Sequence, residues 1–140
     1  MPTLEDFSNF LAAIRQTNGN EAFVSDETGL VSVRVQDTYD LNLQFVESTG
    51  KILCFIAIAA LPKDAPAAIY RDLLAGTLFG HETAGGHFAL EADTGMVIFN
   101  YYYDFDKVAA DPDGFLESLE KILQLCDIWS DRIKTALAGG

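Results

Sequence analysis

Residues 73–103 read LLAGTLFGHETAGGHFALEADTGMVIFNYYY, and this stretch decides the fold. Leu73 and Leu74 end a helix, and Gly85-Gly86 make a bend. Phe88, Leu90 and Ala92 then alternate with His87, Ala89 and Glu91, the two-residue period of a strand. Asp93-Thr94-Gly95 turns the chain, and Met96 to Tyr103 runs back, rich in β-branched and aromatic residues. A lone hairpin cannot bury its apolar face, so the flanking elements must cover it.

Upstream, Thr3 is placed to cap a helix over about residues 4–17, with Asp6 three positions on. Leu4, Phe7, Leu11 and Ile14 hold one face of that helix, Phe10 widens the stripe, and Asn18-Gly19 stops it. Phe23 and Val24 are expected to open the sheet. Val31, Val33 and Val35, then Leu41, Leu43 and Phe45, alternate with polar residues, the antiparallel habit of one wet face. Ile52 to Ala60 is apolar on both faces. Thr28-Gly29, Thr49-Gly50 and Thr94-Gly95 each lie between strand-like runs and predict three hairpins in a meander.

Pro62 ends the third long strand. A second helix is expected at about 65–78, capped by Asp64. Ile69, Leu73 and Gly76 share one face, and Tyr70, Leu74 and Leu78 share the adjacent one, a broader apolar surface than one side of a sheet requires. Asp111-Pro112-Asp113 starts a last helix that runs to about residue 137 on the stripe Phe115, Leu119, Ile122, Cys126, Trp129 and Ile133. The order α-β-β-β-α-β-β-α predicts an α+β fold, a twisted antiparallel sheet with three helices, as a single domain over residues 1–140.

Composition narrows the function. The 140 residues carry a net charge of −12, which disfavours nucleic acid and suits a basic partner segment. No apolar run is long enough for a membrane span, and no basic-then-apolar leader is visible at the N-terminus. Cys54 and Cys126 lack framework or metal spacing and suit a reducing cytoplasm.

Reaction chemistry finds little support. Asp93-Thr94-Gly95 spells the aspartic-protease triplet but reads better as a hairpin turn, the job Gly29 and Gly50 are expected to do without an aspartate. His81, Glu82 and His87 lack the helical pair spacing of a zinc protease. Gly76, Gly80, Gly85 and Gly86 follow a helix and lack the lysine of a phosphate loop. Tyr101-Tyr102-Tyr103 has no basic neighbours for nucleic-acid stacking and suits a sheet strand or a protein interface. No catalytic residue, metal or cofactor is expected; the sequence supplies surfaces.

With this element order in place, the chain resembles the class I type III secretion chaperones of the CesT-like (Tir chaperone) family. The resemblance rests on Leu73-Leu74, the Gly85-Gly86 bend, the strand Phe88 to Ala92, the Gly95 turn, and Val97 to Tyr101. It implies a cytoplasmic homodimer, not an enzyme, that holds the N-terminal segment of a secreted effector extended without ATP. A same-fold regulatory or interaction module with a different partner is the second reading.

The apolar patterns place two surfaces on that expectation. Spare area on the first helix and the adjoining strands is expected to receive the effector: Phe7, Phe10, Leu11, Ile14, Val31, Val33, Val35, Leu41, Leu43 and Phe45. The self-complementary dimer patch is expected at Ile69, Tyr70, Leu73, Leu74, Thr77, Val97, Phe99 and Tyr101.

Overall fold

A computed structural model describes residues 1–139. In chain order the elements are α1 (Leu4–Asn18), β1 (Leu30–Val35), β2 (Tyr39–Val46), β3 (Lys51–Ala60), α2 (Ala67–Thr77), β4 (His87–Glu91), β5 (Met96–Asp104), α3 (Phe105–Ala110) and α4 (Pro112–Gly139). A 3₁₀ turn, Leu78–Gly80, follows α2. The strands hydrogen-bond in the order β1-β2-β3-β5-β4, so β1 and β4 are the sheet edges. This is the antiparallel α+β arrangement the sequence predicts, with one further helix, α3. The chain forms two compact units: Met1–Phe55 with Tyr102–Ser118, and Ile56–Tyr101 with the chain from Leu119 onward.

The first unit begins with the predicted cap. The Thr3 hydroxyl accepts from the Asp6 amide at 3.2 Å, and the Thr3 amide donates to the Asp6 carboxylate at 2.8 Å. This reciprocal pair satisfies donors that the first helical turn leaves open. Antiparallel register pairs Val31 with Leu43 and Val33 with Leu41, and then Leu43 with Cys54 and Phe45 with Ile52. All of these side chains are buried, so the alternation read from the sequence puts one face inward.

Phe7 stacks on Phe45, with ring centroids 5.0 Å apart and planes 11° apart. Phe105, the first residue of α3, meets Phe7, Phe10 and Phe45 edge-on at 6.5, 5.7 and 5.7 Å. Phe115 then contacts Phe10 and Tyr103 at 5.4 and 5.0 Å. Edge-on pairs set positive ring edges against negative ring faces, which adds to what area burial alone supplies.

In the second unit, β4 pairs with β5 so that Phe88 lies opposite Phe99 and Leu90 opposite Val97. The turn between these strands places Gly95 at φ +75°, and its carbonyl accepts the Leu61 amide at 2.7 Å. A side chain at Gly95 would run into the Leu61 backbone, so the position requires glycine for space as well as for φ. Leu119, Ile122, Cys126, Trp129 and Ile133 of α4 are buried, as their stripe predicts.

Three local expectations are corrected. Phe23 and Val24 are not strand; Phe23 is buried in the loop before β1. Thr28-Gly29 is not a hairpin but part of a loop closed by Asp26, whose carboxylate accepts from the Thr28 and Leu30 amides at 2.8 and 3.0 Å. The β1–β2 hairpin instead turns on Gln36 and Asp37, both at positive φ (55° and 54°). That backbone suits the strand twist, although only the aspartate advertises it. Finally, α2 starts at Ala67 behind Pro66, without a side-chain cap, rather than at residue 65 behind Asp64. The residue before a proline is disfavoured in helical geometry, so Ala65 cannot begin the helix.

Candidate protein-interaction surface

The second unit presents an apolar surface built on α2 and β4. Ile69, Leu73 and Gly76 face inward from α2 and are buried. Its adjacent face turns outward: Tyr70 is half-buried and Leu74 is 73% exposed. The 3₁₀ turn adds Leu78 and Phe79, at 59% and 93% exposure, and edge strand β4 adds Leu90 at 46%. Exposed large apolar side chains around a cleft mark interaction sites. Tyr70, Leu73, Leu74, Phe88, Ala89, Leu90 and Val97 line a cleft of about 140 Å³ in this surface. No lining residue is charged.

The base of this surface is tied down. The buried Thr83 hydroxyl donates to the Gly86 carbonyl at 2.6 Å, and the Glu82 amide donates to the Gly76 carbonyl at 3.3 Å. The Trp129 indole donates to the Glu82 carbonyl at 3.3 Å. Phe88 sits 4.8 Å edge-on to that indole, and the Arg132 guanidinium lies 4.0 Å over it. Arg132 also pairs with Asp72 at 2.5 Å and with Glu82 at 3.5 Å. One arginine therefore links α2, the 81–86 bend and α4 of this unit.

The first unit offers a sheet edge and a depression. Strand β1 leaves one side unpaired, with Ser32 and Arg34 exposed. An open edge is where an extended segment can add through main-chain hydrogen bonds. A depression of about 620 Å³ is lined by Met1, Pro2, Asn9, Ala13 and others, with the exposed carboxylates of Asp6 and Asp106 at it.

Titratable groups divide into capped acids and a silent thiol. The hydroxyl of Thr28 on the Asp26 carboxylate, with the Leu30 amide, holds Asp26 below the usual carboxylate range. Lys51 at 3.2 Å does the same for Asp104, helped by Lys107 at 3.5 Å. Burial pushes the Cys126 thiol up to about 12, with the Asp127 charge adding to it. Asp93 lies exposed in the β4–β5 turn. Among the described residues, no three His, Cys, Asp or Glu side chains are grouped to hold a metal ion, and no helix is long and apolar enough to cross a membrane.

A model of the Tir chaperone protein (CesT) family matches residues 9–130. The chain belongs to this family. Solved chaperone structures share its CesT fold. A chain in the crystal structure of the ExsC-ExsE complex matches with a TM-score of 0.78 at 18% identity, covering 94% of this chain and 96% of that one. The Yersinia pestis type III secretion chaperone SycH in complex with a fragment of YscM2 gives 0.62 at 19% identity, with 85% and 98% covered. The ExoU-SpcU complex from the type III secretion system of Pseudomonas aeruginosa gives 0.62 at 14%, with 95% and 98% covered. No match was found among curated proteins.

In this CesT-family chain the residues expected at a dimer interface fall into three groups. Tyr70, Leu73, Leu74 and Val97 line the apolar cleft together. Ile69 and Phe99 are buried, and Thr77 and Tyr101 are half-buried. Phe79, at 93% exposure, is not among the residues the sequence places at this surface. It reads as part of the glycine-rich bend, and nothing in the spacing shows that its side chain points outward.

The residues expected to meet an effector are core instead of spare surface. Phe7, Phe10, Leu11, Ile14, Val31, Val33, Leu41, Leu43 and Phe45 are all at most 6% exposed, and only Val35 is half-buried. Phe7, Phe10 and Phe45 are covered by Phe105 on α3, a six-residue helix too short to show a period in the sequence.

Proposed function

We propose that this CesT-family chain is a cytoplasmic homodimer that keeps the N-terminal segment of a type III secreted effector extended and secretion-competent, without ATP and without catalysis. The uncharged cleft with Leu74 and Leu90 exposed at it, and the exposed Leu78 and Phe79 on the turn that follows α2, carry the dimer part of this reading. An apolar patch that pairs with itself about a two-fold axis is buried equally on both partners. Both compact units act as one chaperone domain, a reading supported by a family match that runs through both. Effector binding falls to the first unit, where the β1 edge offers backbone pairing and the acidic surroundings favour a basic segment. The expected contacts follow the outward neighbours of Val31, Val33 and Val35 and the exposed side of α1.

Two measurements test this. Light scattering should report about twice the chain mass of 15.3 kDa, and Leu74→Asp should return the mass of one chain while the fold persists. A clean monomer for the wild type sinks the dimer. Affinity capture from the native cell, with mass spectrometry, should recover a secreted protein that loses binding when its N-terminal segment is removed. A partner bound through a folded domain, or one that is never secreted, supports the same-fold regulatory module instead.

A further inference from the structure

Phe79 sits at φ 58°, ψ 15°, left-handed backbone that a bulky side chain rarely adopts. Its ring is 93% exposed and gains almost no burial within its own chain. The turn that holds it is closed on both sides: His81 donates to the Leu78 carbonyl at 3.1 Å, and Gly85 donates to the Gly80 carbonyl at 3.1 Å. A strained backbone that projects an aromatic ring into water gives nothing back to a single chain. Such strain persists where the surroundings enforce it, and it concentrates at binding sites.

The same unit carries a matching hole. The cleft of about 140 Å³ is close in size to a cavity of roughly 150 Å³ that takes one benzene ring. Its walls are apolar or aromatic and carry no charge. Two copies at −12 each repel, and an uncharged face is where that repulsion is least. A basic partner is drawn to the carboxylates and away from this face.

We infer that Phe79 of each copy inserts into the Tyr70–Leu74–Phe88–Leu90–Val97 cleft of a second copy. The inference rests on the homodimer proposed above and names the residue that anchors it. A knob and a hole on one unit, exchanged about a two-fold axis, close the assembly at two. Leu74, at the lip of the cleft, borders the inserted ring. The strained turn pre-sets the ring, so little side-chain freedom is lost on docking.

The test is a dilution series of the full chain by light scattering or sedimentation. Phe79→Ala should raise the dimer dissociation constant about 100-fold or more, since a buried aromatic anchor is lost twice per dimer. Phe79→Gly should weaken the dimer equally and leave the melting temperature of the diluted monomer unchanged or higher, because it relieves the left-handed strain. Combined with Leu74→Ala, Phe79→Ala should cost less than the sum of the two single changes. If the wild type dimerises and Phe79→Ala leaves its dissociation constant unchanged, or if the two effects add fully, the inference is overturned and the homodimer stands. If either Phe79 variant destabilises the diluted monomer, the ring serves its own chain and the inference fails. If the wild type is monomeric at every concentration, the homodimer fails, and the anchor with it.

Discussion

Gly76 lies against the edge of Trp129 so closely that a Cβ at Gly76 would sit 2.5 Å from Cζ2 of the indole. The contact joins α2 to α4 within the second unit and sets the floor beneath the exposed apolar surface. The ring has no room to retreat, because Phe88 and Arg132 flank it and its N–H is bonded to the Glu82 carbonyl.

Gly76→Ala should therefore destabilise the chain. Alanine is the better helix former by about 1 kcal/mol, which favours the variant. Overpacking against a fixed indole costs about 1–3 kcal/mol and should outweigh that gain. Chemical denaturation measures the balance, and adding Trp129→Phe should recover part of the loss. A more stable Gly76→Ala variant would mean that α2 can shift away from the indole.

Trp129→Ala and Phe105→Ala should each cost about 3–5 kcal/mol, the range for losing a buried large aromatic. Phe105 is the more informative, because α3 was not foreseen. Its loss should open the cluster of Phe7, Phe10 and Phe45 and increase the binding of an apolar dye. An unchanged unfolding midpoint for Phe105→Ala would show that the cluster closes without it.

Acid should expose the Asp26 loop. The folded-state pKa of Asp26 lies below its ordinary value of 3.8, so the carboxylate contributes stability that is complete above that value and lost as pH falls through the folded pKa. Asp26→Asn should lower the melting temperature at pH 7, and the gap to wild type should narrow as pH falls below the ordinary value of 3.8 and close only once it has passed the lower folded-state pKa. A gap that stays constant into acid would place the effect in packing.

Cys126 should resist alkylation in the folded chain. Burial holds its thiol at about 12, above the ordinary 9.0. The thiolate is the reacting form, so labelling at pH 8 should run far slower than for an unfolded control. Labelling at the unfolded rate in native buffer would contradict the burial.

The sequence by itself determined the element order, the antiparallel habit and the burial of α4. Those follow from local facts: the two-residue alternation of Val31 to Phe45, the helical stripe from Phe115 to Ile133, and the caps at Thr3 and Asp111. Tertiary structure alone decided which apolar faces stay open. Phe10 on α1 and Leu74 on α2 look alike as members of wide stripes, yet one is 6% exposed and the other 73%. The difference is whether a distant element comes back to cover the face. Phe105 returns over α1 from a helix with no readable period, and among the described residues nothing returns over Leu74, so the wet side of the fold is a property of long-range packing. The backbone of Phe79 is of the same kind: its left-handed turn is imposed by hydrogen bonds across the 78–86 bend, against the residue's own preference.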